Sequence, residues 1–263
     1  MSLKEKIAVW GFSIASFLAM GFLFNLILHY PLNSQSSEID QMIAVLERNP
    51  NVDKEQLDIE KKLAKAEDIW MDHKKILDQL PEFKPPKDNH LTEDQIHRLY
   101  QIVEHCWSEF RKFNRGYANR QTSGFGKAAV IYFFGGTVLD LCTIEGKVQT
   151  QMTDEEFDWV TERMWETALF AVNRKIASGK VKEEEKERLY RAREQLCHML
   201  RLIKEENNQI KLLPEKLKLS KIPRHNVQLF LQFKDEFRWQ DVNFREIEFD
   251  EQDIMRSAQV LPE

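Results

Sequence analysis

Glycine and proline are scarce in this chain, 9 and 8 of 263 residues. That excludes collagen-like repeats, long low-complexity tracts and turn-rich all-β folds. Cysteine is scarcer still. Cys106, Cys142 and Cys197 are its 3 thiols. No two of them stand in CxxC spacing, which excludes zinc-ribbon and thioredoxin-like sites. An odd number makes no disulfide framework. The expectation is three buried thiols, with one bridge open to them only in an oxidising compartment. Basic excess is missing as well. The net charge is −5 and the pI about 5.9, so no nucleic acid is expected as a partner, since that needs a basic face to displace counterions.

Catalytic signatures are also missing. Gly124-Phe125-Gly126-Lys127 is followed by Ala128, not by the Ser or Thr of a phosphate-binding loop. No GxSxG elbow or HxxxH pair occurs. The 7 histidines are dispersed. The closest acid–histidine spacings, Asp94 with His97 and Glu194 with His198, are those of ordinary contacts on a helix surface. No catalytic, cofactor-binding or metal residue is therefore predicted, and no cofactor.

Against these absences stands one long apolar run. Ile7 to Leu28 reads IAVWGFSIASFLAMGFLFNLIL, without a charge. At a helical rise of about 1.5 Å per residue it spans about 33 Å, enough to cross the hydrocarbon core. Trp10 and Tyr30 mark the two interfaces and Pro31 ends the helix. A cleaved signal peptide would have a shorter apolar region and a small-residue cleavage site after it. A single-pass signal-anchor over residues 7–30 is the expectation, preceded by a cytoplasmic tail over 1–6. Lys4 and Lys6 precede the run and the next cation is Arg48. The positive-inside rule then sends the remainder across the membrane, into the periplasm of a bacterium or a lumen or organelle of a eukaryote. Gly11, Ala15 and Ala19 share one helix face, which lets a partner helix approach closely. Small residues are also simply common in such helices.

The remainder reads as helix. Hydrophobic residues make up 42% and charged residues 31%, enough for a sizeable core with a solvated surface. A short helix is expected between Ser36 and Asn49. From Asp53 on, Ile59, Leu63, Ala66, Trp70, His73, Leu77 and Leu80 alternate at spacings of 4 and 3, a coiled-coil seam about three heptads long. The Pro-containing stretch from Pro81 to Asn89 then closes a helical stalk over 31–90. Thr92 with Gln95 and Thr153 with Glu156 are capping boxes. The first opens a helix carrying Ile96, Leu99, Val103, Cys106, Phe110 and Phe113, expected to form a hairpin with the stalk helix. The second opens a helix apolar on two adjoining stripes, predicted to lie at the centre of the core. A charged helix follows from Lys182, with Leu189, Ala192, Leu196 and Met199 as its buried stripe.

Residues 127–151 read differently. Val, Ile, Tyr and Phe cluster before Gly135-Gly136, and a second break falls at Glu145-Gly146. This predicts a small antiparallel β-meander. The alternative is one buried helix broken at the glycines, which would make the chain all-α. The core domain is placed over 91–218. Residues 219–263 form an acidic C-terminal segment, read as a solvated tail or rim, and its stretch Asn226–Phe249 fits strand or helix.

The strongest local signal is basic and aromatic. Arg111, Lys112, Arg115, Arg120 and Lys127 interleave with Phe110, Phe113, Tyr117 and Phe125, and no acid lies between Arg111 and Lys127. Such a patch suits a lipid headgroup or an acidic partner. The competing reading is a helix end whose cations complement the dipole while the aromatics enter the core. The chain is thus expected to be mainly α and to act as a membrane-anchored scaffold or assembly subunit, held by other membrane or envelope proteins or by itself. A lipid- or ligand-binding sensor and an enzyme whose site is not visible in sequence remain the alternatives.

Overall fold

The computed structural model describes residues 54–116, 124–179, 181–206, 222–236, 238–239 and 242–258. The run Ile7–Leu28, its face Gly11, Ala15 and Ala19, and the short helix expected after Ser36 lie outside them. Among the described residues, no helix is long and apolar enough to cross a membrane. The chain divides at Ala64/Lys65 into two compact units. The described part of the first is α1, Lys54–Ala64, an amphipathic helix.

The second unit is mainly helical. It contains α2 (Ala66–Leu77), α3 (Glu93–Gly116), α4 (Gly124–Thr150), α5 (Asp154–Ala177), α6 (Glu183–Glu206), α7 (Arg224–Phe233) and α8 (Glu251–Ser257). A two-residue antiparallel ladder, β1 (Arg238–Trp239) with β2 (Val242–Asn243), precedes a 3-10 turn at Phe244–Glu246. The helix starts follow from their caps. The Thr92 amide donates to Gln95 Oε1 at 3.1 Å, and the Gln95 amide to Thr92 Oγ1 at 3.2 Å, a reciprocal capping box. At α5 the Glu156 amide donates to Thr153 Oγ1 at 3.1 Å. The Glu156 carboxylate does not return to its own cap. It takes the Arg98 guanidinium at 2.6 and 3.0 Å and the Gln95 amide at 3.1 Å, which joins the first turns of α3 and α5.

The doubly striped α5 is central, as its sequence predicts. Val160, Met164, Ala168, Ala171, Leu169 and Val172 are all buried, and α3, α6, α7 and α8 pack against this helix. Gly179, at φ +68°, ends the chain's course after α5 in the left-handed conformation that glycine adopts without a Cβ clash.

Two expectations are corrected. Residues 127–151 form no meander: 127–150 lie in α4, a single helix of 27 residues that runs through Gly135, Gly136 and Gly146, and Gln151 follows in a turn. β-branched and aromatic residues prefer strands by a small margin only, which tertiary context readily overrides. At Gly146 the glycine serves helix contact. A Cβ there would sit 3.1 Å from Ile102 Cγ2 and 3.2 Å from Ile102 Cα, so α3 reaches α4 backbone to backbone at this point. The stalk helix also does not form the expected hairpin with α3. Instead α2 packs on α4, and Lys74 and Lys147 both grip Asp154, at 2.7 and 2.9 Å. Of the seam residues in this unit, Leu77 is buried and Trp70 is 40% exposed.

The described part of the acidic C-terminal segment alternates solvent-facing acids with buried apolar residues. Asp235, Glu236, Glu246, Glu248 and Asp250 face solvent, while Phe230, Phe233, Phe244, Ile247 and Ile254 enter the core between them. Phe230 meets Phe244 and Phe249 edge-on, with centroids 5.3 and 5.8 Å away, the arrangement that aromatic quadrupoles favour. Buried Asn226 fixes the Pro-containing linker to α7. Its Oδ1 accepts the Leu91 amide at 2.9 Å and its Nδ2 donates to the Asn89 carbonyl at 2.9 Å.

Candidate functional site: an apolar groove

α3 and α4 meet closely at Gly146. The pair is antiparallel, since Ile102 meets Gly146 and, one turn on, Cys106 meets Thr143. A cavity of about 390 Å³ opens between α3, α4, α5 and α6. Its floor is Leu99 and Ile102, both buried. Phe157, Thr161 and Trp165 of α5 and Met199 of α6 form the far wall. Trp107 and Phe110 of α3 and Leu139 of α4, the last 44% exposed, form the mouth.

Few polar atoms reach this lining. The Thr143 hydroxyl donates to the Leu139 carbonyl at 2.7 Å and lies 3.5 Å from Cys106 Sγ. The Thr161 hydroxyl is buried and has no hydrogen-bond partner among the described residues, a condition that costs free energy unless a ligand or water supplies one. Beside the groove, His105 Nε2 lies 3.1 Å from Glu145 Oε2, both side chains mostly buried. The Cys106 thiol pKa is held below its ordinary value. A hydrogen bond with the Cys142 thiol is the largest cause, and burial opposes it; the Thr143 hydroxyl also lowers it, against the charges of Glu145 and Glu109. Burial pushes the Cys197 thiol the other way.

The basic patch predicted from sequence is partly described. Arg111 is exposed, donates to the Trp107 carbonyl at 3.1 Å and approaches Glu104 at 3.9 Å. Lys112 pairs with Glu109 at 2.6 Å. Arg115 is exposed in the last turn of α3, while Phe113 is 1% exposed and Phe110 lines the groove. Tyr117 and Arg120 lie outside the described residues, and Lys127 lies in the part of α4 described by backbone alone. Asp94 and His97 turn to other partners: Asp94 binds Arg98 at 2.9 Å, and the His97 ring stands edge-on to Phe233; Glu194 and His198 are both exposed on α6. Among the described residues no group of three or more His, Cys, Asp or Glu could hold a metal ion.

The groove was not singled out by the sequence. Its α3 residues belong to the predicted apolar stripe, but Trp107, Leu139, Thr143, Thr161 and Trp165 carried no signal of a common site. No family model, no curated protein and no solved structure matches this chain.

Proposed function

We propose that this chain is a single-pass membrane-anchored protein whose mainly helical domain binds the chain of a single-chain amphiphile with an anionic head, a fatty acid or a lysolipid phosphate. The observation that carries the reading is the open apolar cavity of about 390 Å³ between α3, α4, α5 and α6. Its size falls within the range of small-ligand sites, about 300–1,000 Å³, and its lining is of the matching kind, apolar with few polar groups. Its apolar lining suits the chain of a slender amphiphile. Arg111, exposed beside Trp107 at the mouth, offers a cation to an anionic head. Ile7–Leu28 would hold the domain beside a bilayer that supplies such ligands, with the N-terminus cytoplasmic and the domain periplasmic if the source is bacterial.

The test is photolabelling. The full chain in lipid nanodiscs is irradiated with a photoactivatable fatty acid and the adducts are mapped by mass spectrometry. Adducts should fall on Trp107, Leu139 and Trp165, and Leu139→Glu, a change at an exposed position, should abolish them. Labelling confined to the anchor, or unaltered in Leu139→Glu, rejects the reading. A second reading, a scaffold or assembly subunit bound to other membrane or envelope proteins or to a second copy, is favoured by a different surface: Trp70, Met71 and Ile76 of α2 are 40%, 47% and 47% exposed. Crosslinking from α2 in intact membranes tests that one.

A further inference from the structure

Cys106 and Cys142 are far apart in sequence and share no motif, yet the helix pairing brings them together. Ile102 and Gly146 mark a close contact of two antiparallel helices. Four residues later on α3 and four earlier on α4 stand Cys106 and Cys142, one turn along the same contact. The contacts agree with that register. Cys106 Sγ lies 3.5 Å from the hydroxyl of Thr143, next in sequence to Cys142, and Cys142 is the neighbour that most affects the Cys106 thiol. Cys142 is 0% exposed and its thiol donates to the Leu139 carbonyl at 3.1 Å. Cys106 is only partly buried and lines the groove. One sulfur is therefore reachable from solvent and the other is held behind it. This is the division between an attacking thiol and a resolving one.

We infer that Cys106 and Cys142 form a dithiol–disulfide pair that closes across α3 and α4 by exchange with a small-molecule disulfide such as oxidised glutathione. The Cys106 thiolate attacks one sulfur of the reagent. The reagent's S–S bond breaks, its first thiolate leaves and takes up the proton that Cys106 lost, and a mixed disulfide remains on Cys106. Cys142 then loses its proton and attacks Cys106 Sγ, expelling the second reagent thiol. The protein gives up two electrons and two protons, and the reagent disulfide becomes two thiols. The lowered pKa of Cys106 favours the first step, because the thiolate is the nucleophile. Cys197, its thiol raised by burial, takes no part. The inference is independent of what the groove binds.

The full chain, reduced and then freed of reductant, is titrated with oxidised glutathione in detergent micelles. Non-reducing peptide mapping should recover a Cys106–Cys142 linked peptide and a free Cys197. Cys142→Ser should stop at the mixed disulfide on Cys106, and Cys106→Ser should acquire none. Closing a loop of about 36 residues should raise the Tm by roughly 10 °C in the oxidised wild type and leave both serine variants unmoved. A stable mixed disulfide on wild-type Cys106, or modification of Cys197 ahead of Cys106, would overturn the inference. So would the absence of any linked peptide when circular dichroism shows the chain folded.

Discussion

Two glycines one helix apart in fate make the sharpest test of the α3–α4 contact. Gly136 and Gly146 both lie inside α4. Alanine is the better helix former at either, by about 0.8–1 kcal/mol. A Cβ at Gly136 meets nothing within 4 Å, so Gly136→Ala should keep that whole gain. A Cβ at Gly146 meets Ile102 at 3.1–3.2 Å, and one of the touched atoms is backbone Cα. A side-chain tip could swing aside, but a Cα in the middle of a helix moves only with its helix. Overpacking of this kind costs about 1–3 kcal/mol. The net for Gly146→Ala is then about 0–2 kcal/mol of destabilisation, against about 1 kcal/mol of stabilisation for Gly136→Ala. At about 2–4 °C per kcal/mol for a unit of this size, the two single-methyl variants should lie several degrees apart on opposite sides of wild type. Thermal unfolding of the full chain in detergent micelles, followed by tryptophan fluorescence, reads the difference. If Gly146→Ala melts as high as Gly136→Ala, the helices do not touch at Ile102 and the register that places Cys106 against Cys142 fails with it.

Other consequences are as specific. Asn226→Ala strips the buried Leu91 amide of its acceptor and should cost about 1–3 kcal/mol, with faster hydrogen exchange at Leu91 as its local signature. Arg98→Met leaves the Glu156 carboxylate, whose side chain is 11% exposed, without its cation, and should cost about 3 kcal/mol in chemical unfolding. The double change Arg98→Met with Glu156→Met should recover most of that, because the pair's desolvation offsets its attraction. Burial opposes ionisation of Asp154, but Lys74 and Lys147 outweigh it and hold the carboxyl below its ordinary pKa of 3.8. Its contribution is therefore complete above that value and is lost as pH falls through the lower folded pKa. Asp154→Asn should cost about 0.5–1 kcal/mol at pH 7, given how open the site is to solvent, and should flatten the acid limb of a Tm-versus-pH profile.

Helix periodicity and caps were legible where the physics is local. Thr92 with Gln95 and Thr153 with Glu156 start helices because the cap side chains satisfy amides within three residues, and such a rule needs no knowledge of the fold. The stripes of α5 and α6 were legible because a face buried on one side writes its period into the sequence. Residues 127–151 defeat the same reasoning. A helix apolar on nearly every side has no period to read, and its Val, Ile, Tyr and Phe then suggest strands. Gly146 was read as a turn because close approach and chain reversal both select glycine, and only the facing Ile102 tells them apart.

The groove was illegible for a further reason. Its residues are drawn from the same stripes that build the core, and nothing in a stripe records where its cover ends. On α3, Leu99 and Ile102 are sealed, while Val103, Cys106, Trp107 and Phe110, farther along the same helix, are only half-covered. Along that stretch the facing residues change. At Gly146 the partner helix has no side chain and Ile102 packs directly on its backbone. One and two turns on, Thr143 and Leu139 line the groove, and α5 and α6 supply its other walls. Filling it from within, by Thr161→Leu, should remove the partnerless hydroxyl and part of the cavity together. If the groove exists to hold a chain, that variant should be more stable than wild type and lose fatty-acid labelling. Loss of stability there would instead mean that the space is too tight for the larger side chain, and that the wall is ordinary core.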